Sequence, residues 1–223
     1  MSSIFILLAL VSEWIYNQEM STIPWDLQPL HMSTRVGVLH DGNTCVVAFR
    51  GTDSITDLFD DLMSQAYQSC DSAGVLSVFM ESYNDLDMDA IRHSVMTSGC
   101  KKLYVTGHSL GGAMAEISSS LDEFSPLSPT VVTFGGPRTC CGNKNIKQRT
   151  TRVVNGRDPI PSLPERVGTH TIGHCSSFAI ELPSFKSHND IYWPSLSENY
   201  NIFDHEISRY INELTSYINQ KDY

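Results

Sequence analysis

Gly107-His108-Ser109-Leu110-Gly111-Gly112 is the stretch whose reading decides the fold. It follows Leu103-Tyr104-Val105-Thr106, a β-branched and aromatic run that predicts a buried strand, and it leads into Ala113-Met114-Ala115-Glu116-Ile117, which predicts a helix. A Gly-x-Ser-x-Gly between strand and helix has the composition of a nucleophile elbow. The serine sits on a strained turn with its hydroxyl presented, and side chains at positions 107 and 111 would block the packing of strand against helix. A purely structural turn is the competing account. The pentapeptide therefore carries weight only with an acid, a base and an oxyanion hole in a workable order.

Upstream, Arg35 to His40 and Thr44 to Phe49 are apolar-rich strands joined through Asp41-Gly42-Asn43, a strong hairpin signal. The second strand runs out into Arg50-Gly51-Thr52-Asp53-Ser54, where the backbone N–H of Thr52, with its hydroxyl, can face the nucleophile as an oxyanion donor. The same turn also reads as a strand-to-helix cap with Asp53 or Ser54 in the capping position, and the two readings are compatible. Ile55, Leu58, Phe59, Leu62 and Met63 then fall on one helical face, with Asp57, Asp60 and Asp61 on the other. This segment, within residues 53–69, reads either as a fixed surface helix or as a mobile flap over the site.

Downstream of that segment, Leu76 to Tyr83 starts another element, and Met88 to Met96 is helical up to Ser98-Gly99. The elbow helix is expected to end near Asp122. Thr130-Val131-Val132-Thr133-Phe134 is a strand ending at Gly135-Gly136-Pro137-Arg138, and Thr151-Arg152-Val153-Val154 is the next one. Strand and helix alternating in this way imply a parallel sheet with helices on its faces, an α/β fold. Asp158 follows the last of these strands in Asn155-Gly156-Arg157-Asp158-Pro159-Ile160-Pro161, at the sheet edge where open α/β folds gather reactive loops. A turn residue before proline is its other role. Among later carboxylates, Asp122 belongs to the elbow helix and Asp190, Asp204 and Asp222 follow no convincing strand, so Asp158 is the acid by elimination.

In the chain order Ser, acid, His, the base follows Asp158. His108 is set aside as the immediate neighbour of Ser109, where packing is its expected role. His170 and His174 come too soon after the acid. His205 precedes a final amphipathic helix carrying Ile207, Tyr210, Ile211, Leu214 and Ile218, which can hold it accurately; His188, in a polar loop, is the second choice.

Composition bounds the rest. The 223 residues, 41% of them hydrophobic, suffice for one domain over 1–223 with a full core. A net charge of −10 argues against nucleic acid and against charge-driven binding to anionic membrane, while contact with neutral lipid stays open. Ile4 to Val11 is an apolar run of signal-peptide length, but no Lys or Arg precedes it, no convincing small-residue cleavage site follows, and it is too short to cross a bilayer; continued through Trp14, Ile15 and Tyr16, it reads instead as a buried first helix. With no Asn-x-Ser/Thr sequon, the compartment stays open with a lean toward the cell interior. The six cysteines show no CxxC pair and are expected as free thiols, since a domain of this size needs no staples. His170, His174 and Cys175 do not complete a tetrahedral set, so no metal is expected.

Taken together, the chain resembles the class 3 lipase family of α/β-hydrolases. The resemblance rests on Phe49-Arg50-Gly51-Thr52 with Asp57 and Asp61, Gly107 to Gly112, Thr133 to Arg138, Val154 to Pro164, and Asp204-His205 with Tyr210, from about residue 35 onward in the family's order. It implies an α/β-hydrolase fold with an N-terminal antiparallel hairpin, a triad of Ser109, Asp158 and His205, and an oxyanion hole of Thr52 and the backbone N–H of Leu110. By the same resemblance the activity is hydrolysis of carboxylic esters of lipids, acylglycerols by default, with phospholipids and short-chain or aromatic esters as alternatives and no cofactor. A catalytically silent lipid-binding or interaction module is the reading from another class. Two departures stand out. Val75-Leu76-Ser77-Val78-Phe79 keeps only the ends of the family's Val-His-x-Gly-Phe stretch, and Leu58 stands where secreted fungal members often carry tryptophan. Phe185, Tyr192, Trp193 and Leu196, between Leu182 and Asn201, are candidates for an acyl pocket or for ordinary packing.

Overall fold

The computed structural model describes residues 2–22, 24, 26–63, 69–72, 74–141, 150–167, 170–175, 179–182 and 201–221. Its centre is a seven-stranded sheet made of β1 (Gln28–Met32), β2 (Val36–Asp41), β3 (Thr44–Phe49), β4 (Lys102–His108), β5 (Thr130–Phe134), β7 (Thr150–Asn155) and β10 (Ala179–Leu182), in that spatial order. The first three strands are antiparallel, with the expected hairpin pairing Asp41 to Thr44. From β3 onward every pairing is parallel. A small antiparallel sheet of β6 (Cys140–Cys141), β9 (His170–Gly173) and β8 (Arg166–Val167) lies apart from it.

The strands are apolar on both faces because both faces are covered. Along β3, Cys45, Val47 and Phe49 join one buried cluster and Val46 and Ala48 another, the period-two alternation of a strand sandwiched between helical layers. The first cluster takes Leu58 and Leu62 of α2 (Ile55–Met63), Phe79 and Tyr83 of α3 (Ser77–Asn84), Ile91 and Val95 of α4 (Met88–Thr97), and Met114 and Ile117 of α5 (Leu110–Ser120). The second takes Leu8, Val11 and Trp14 of α1 (Ser2–Trp14) and Tyr210 and Leu214 of α6 (Ile207–Lys221). The N-terminal apolar run is thus a helix packed on the sheet beside α6. No helix among the described residues is long and apolar enough to cross a membrane.

Strands β1 and β10 were not expected from sequence. Gln28-Pro29-Leu30-His31-Met32 lacks alternation and contains a proline, which an edge strand tolerates, and its pairing is irregular between Pro29 and His31. β10 is only four residues long at the opposite edge.

The cysteine expectation is corrected: all six cysteines are bonded, Cys45 to Cys100, Cys70 to Cys141 and Cys140 to Cys175. Spacing does not encode such a connectivity, because six cysteines allow about 15 pairings. Adjacent Cys140 and Cys141 lie on one strand with side chains on opposite faces, so they reach different partners. The Cys45–Cys100 bridge joins residues 55 apart on neighbouring strand starts, constraining the unfolded chain. Replacing both with alanine is expected to lower the unfolding free energy by about 2–4 kcal/mol. Denaturant unfolding reads this directly, and an unchanged midpoint would contradict it.

Candidate active site

The carboxyl ends of four parallel strands deliver the site. Beyond β3 lies Thr52, beyond β4 Ser109, beyond β5 Gly135, and beyond β7 Asp158. Ser109 occupies the turn between β4 and α5 with φ 59° and ψ −127°, an uncommon conformation for a residue with a side chain. Its N–H donates to the Phe134 carbonyl at 2.9 Å, tying the turn to β5. A Cβ at Gly107 would overlap the backbone of Gly111, and one at Gly111 would overlap that of Phe49, so both positions must stay bare for helix to cross strand.

His205 closes a 3-10 turn over Ile202–His205, and its imidazole bridges the other two groups. Nε2 lies 2.8 Å from Ser109 Oγ, and Nδ1 lies 2.8 Å from Asp158 Oδ2. A carboxylate only accepts, so Nδ1 carries the proton and Nε2 accepts from the Ser109 hydroxyl. Asp158 also accepts from the Ile160 N–H at 2.9 Å and from the Tyr210 hydroxyl at 2.5 Å. Burial and the neighbouring carboxylate push the Tyr210 phenol well above its ordinary pKa, which keeps it a donor. Gly135 lies against this pair with φ +62°; a Cβ there would come within 3.0 Å of both Asp158 Oδ2 and His205 Nδ1.

The turn bearing the histidine is stapled to the turn bearing the aspartate. Asn155 donates its side-chain amide to the Asp204 carbonyl at 2.9 Å, the Arg157 N–H donates to Asp204 Oδ2 at 3.2 Å, and the Asn201 N–H donates to the Arg157 carbonyl at 2.8 Å. Asp204 thus holds the two turns together rather than acting at the reacting centre.

Ser54 caps α2, its hydroxyl accepting from the Asp57 N–H at 3.2 Å, while Asp53 takes both carboxylate oxygens to the Arg50 guanidinium at 2.6 Å. Thr52 Oγ1 accepts from the Ser54 N–H at 3.3 Å, which leaves its hydroxyl proton available to a ligand. Leu110 is the first residue of α5, where a backbone N–H has no intrahelical acceptor. An open cleft of about 290 Å³ adjoins Thr52, lined also by Glu13, Tyr16, Asp53, His108 and Glu206. Ser109 and His205 are buried, at 1% and 0% exposure. On α2, Leu58 and Leu62 are buried whereas Thr56, Asp57 and Asp60 face solvent.

The other histidines stand elsewhere. His170 is exposed on β9, and His174 donates from Nε2 to the Pro161 carbonyl at 2.8 Å with Nδ1 3.4 Å from Glu116 Oε1. Cys175 is committed to its bridge, and no described group of three His, Cys, Asp or Glu residues could hold a metal. The second choice of base, His188, and Phe185, Tyr192, Trp193 and Leu196 lie outside the described residues. Two residues that sequence reading left in the core are polar partners here: Tyr210, on Asp158, and Tyr16, on His108. A tyrosine in an apolar helical stripe is the available signal, since its buried hydroxyl needs a partner.

The family model for lipase (class 3) matches residues 46–168. A secreted mono- and diacylglycerol lipase of Malassezia globosa is 30% identical over 211 residues, which is 82% of this chain and 63% of that protein. A lipase of Rhizopus niveus is 29% identical over 138 residues, so the match spans 54% of this chain and 35% of its relative. Among solved structures, lipase II from Rhizopus niveus superimposes with a TM-score of 0.67 at 22% identity, covering 92% of both chains. A deletion mutant of the Rhizomucor miehei lipase propeptide complex gives 0.70 at 18%, covering 92% of this chain and 77% of that one. At such identities the likeness is one of fold, and the fold is the α/β-hydrolase one.

Proposed function

The chain belongs to the class 3 lipase family, and we propose that it hydrolyses carboxylic esters of lipids, acylglycerols foremost, through a Ser109–His205–Asp158 triad and an acyl-enzyme. One observation carries the proposal: the His205 imidazole sits 2.8 Å from both the Ser109 hydroxyl and the Asp158 carboxylate. His205 Nε2 takes the hydroxyl proton as Ser109 Oγ attacks the ester carbonyl, and Asp158 holds the imidazole in the required tautomer and stabilises its charged form. The Leu110 N–H and the Thr52 N–H and hydroxyl stabilise the oxyanion. One such donor is worth roughly 3 kcal/mol in a comparable hydrolase. His205 then protonates the departing alcohol, and water, activated by the same imidazole, releases the acyl group from Ser109.

The names of the relatives as mono- and diacylglycerol lipases support the acylglycerol class. The three disulfides support an oxidising compartment, in place of the lean toward the cell interior drawn from sequence. Ser109 and His205 are buried, and α2, which buries Leu58 and Leu62, is the segment proposed to move aside for substrate. Initial rates against acyl chain length, taken below and above the solubility limit, test this reading. A jump above the limit with long chains is expected. Saturation below it with short chains would make the protein an esterase with α2 fixed, and release of fatty acid from phospholipid in preference to acylglycerol would move the substrate class.

A further inference from the structure

A second buried histidine stands beside the site and has no part in the chemistry proposed so far. His108 ends β4 next to the nucleophile, is 3% exposed, and its ring lies 4.7 Å from that of His205, centroid to centroid. Its Nε2 is 2.6 Å from the backbone carbonyl of His205, and its Nδ1 is 2.9 Å from the Tyr16 hydroxyl. We propose that His108 is a positioning residue for the base, its Nε2–H holding the His205 carbonyl, with Tyr16 fixing the tautomer that makes this possible. The proposal rests on the reading of His205 as general base.

Donors and acceptors fix the His108 tautomer. A carbonyl only accepts, so His108 Nε2 must carry a proton. In the neutral ring Nδ1 is then a lone pair, and the Tyr16 hydroxyl must donate to it. The opposite tautomer would set a lone pair against the His205 carbonyl at hydrogen-bond distance. Both groups are kept in the required state: burial and neighbouring His205 push the His108 imidazole well below its ordinary pKa, and burial and Asp53 push the Tyr16 phenol up, with the Arg50 guanidinium 5.6 Å over its ring working the other way. The Tyr210 ring, 6.0 Å away, completes the groups around His108.

The consequence lies in what the bond joins. Two adjacent carbonyls of the base-bearing turn are gripped, Asp204 by Asn155 at the end of β7 and His205 by His108 beside Ser109. The first grip sets the imidazole relative to its acid. The second sets it relative to the nucleophile, through the backbone of the residue just before it. Tyr16 brings in the oxyanion turn as well, since its hydroxyl lies against Gly51, which directly precedes Thr52. A helix-end residue 92 positions away thereby secures the local order of the site.

The test pairs kinetics with a direct view of the tautomer. Nitrogen-15 NMR of the imidazoles in the wild-type protein at neutral pH is expected to show His108 protonated at Nε2 alone, and Tyr16→Phe to weaken that preference. On a chromogenic acyl ester, His108→Leu is expected to lose about 10²-fold in kcat with KM little changed, as for a misplaced catalytic group. His108→Gln, which keeps a donor at the Nε2 position, is expected to recover most of the loss. A proton on Nδ1, or on both nitrogens, would overturn the proposal even if the leucine variant does not fold. So would a folded leucine variant with the wild-type kcat, or equal losses in the two variants. Absence of ester hydrolysis by the wild-type protein would instead count against the triad reading, leaving the tautomer to be read by NMR.

Discussion

Replacing Ser109 with alanine is expected to lower kcat for ester hydrolysis by about 10⁶-fold, roughly 8 kcal/mol of transition-state stabilisation. The size follows from the cooperation of the three groups. Without Oγ no acyl-enzyme forms, and His205 and Asp158 have no proton transfer to assist, so only binding and the oxyanion donors remain. Stability is expected to change little, because the strained φ of 59° stays acceptable only as long as the elbow packs, and alanine leaves that packing intact. Rates and unfolding midpoints measured together separate the two effects. A variant that keeps its midpoint and more than a small fraction of the rate would exclude Ser109 as nucleophile, whereas a folded wild-type protein with no ester hydrolysis would favour the interaction-module reading.

The second large effect is expected at Asp158, where asparagine should cost about 10⁴-fold in kcat. Three donors converge on this carboxylate, the Ile160 N–H at Oδ1 and the Tyr210 hydroxyl and His205 Nδ1–H at Oδ2. With Oδ1 still accepting from Ile160, an asparagine places its NH₂ where Oδ2 was, facing two further donors. The imidazole then relieves the conflict by presenting a lone pair at Nδ1 and moving its proton to Nε2, so it points a donor at Ser109 and cannot act as base. The loss is expected in kcat with KM little changed. A loss confined to KM would place Asp158 in binding rather than in orienting the base.

What the sequence makes legible here is what local pattern determines. The strand at Thr130–Phe134, the hairpin before Thr52 and the elbow at Ser109 follow from β-branched runs, a Gly-containing turn and glycines placed where backbones touch. The order Ser109, Asp158, His205 is legible because strand ends in a parallel sheet gather at one edge, whereas choosing His205 over His188 needed the anchoring of α6. Other features depend on contacts far apart in the chain. Pairing of Cys45 with Cys100, Cys70 with Cys141 and Cys140 with Cys175 is set by which strands become neighbours, something no spacing records. The edge strand Gln28–Met32 has no apolar alternation because none of its residues is fully buried, so neither face demands a run of apolar side chains. His108 reads as packing from its position beside the nucleophile, and its hydrogen bonds to Tyr16 and to the His205 carbonyl join residues 92 and 97 positions apart.

The central claim, that Ser109 is a nucleophile activated by His205, is tested most directly by covalent trapping. A p-nitrophenyl alkylphosphonate presents a phosphorus that the activated oxygen attacks, expelling p-nitrophenolate and leaving a stable phosphonyl-serine. The account predicts one equivalent of nitrophenolate per chain, loss of hydrolysis in step with its release, and a single adduct mapped by peptide mass to Ser109, with no release from the Ser109→Ala variant. An adduct on another residue accompanied by loss of activity, or full hydrolysis with Ser109 unmodified, would contradict it.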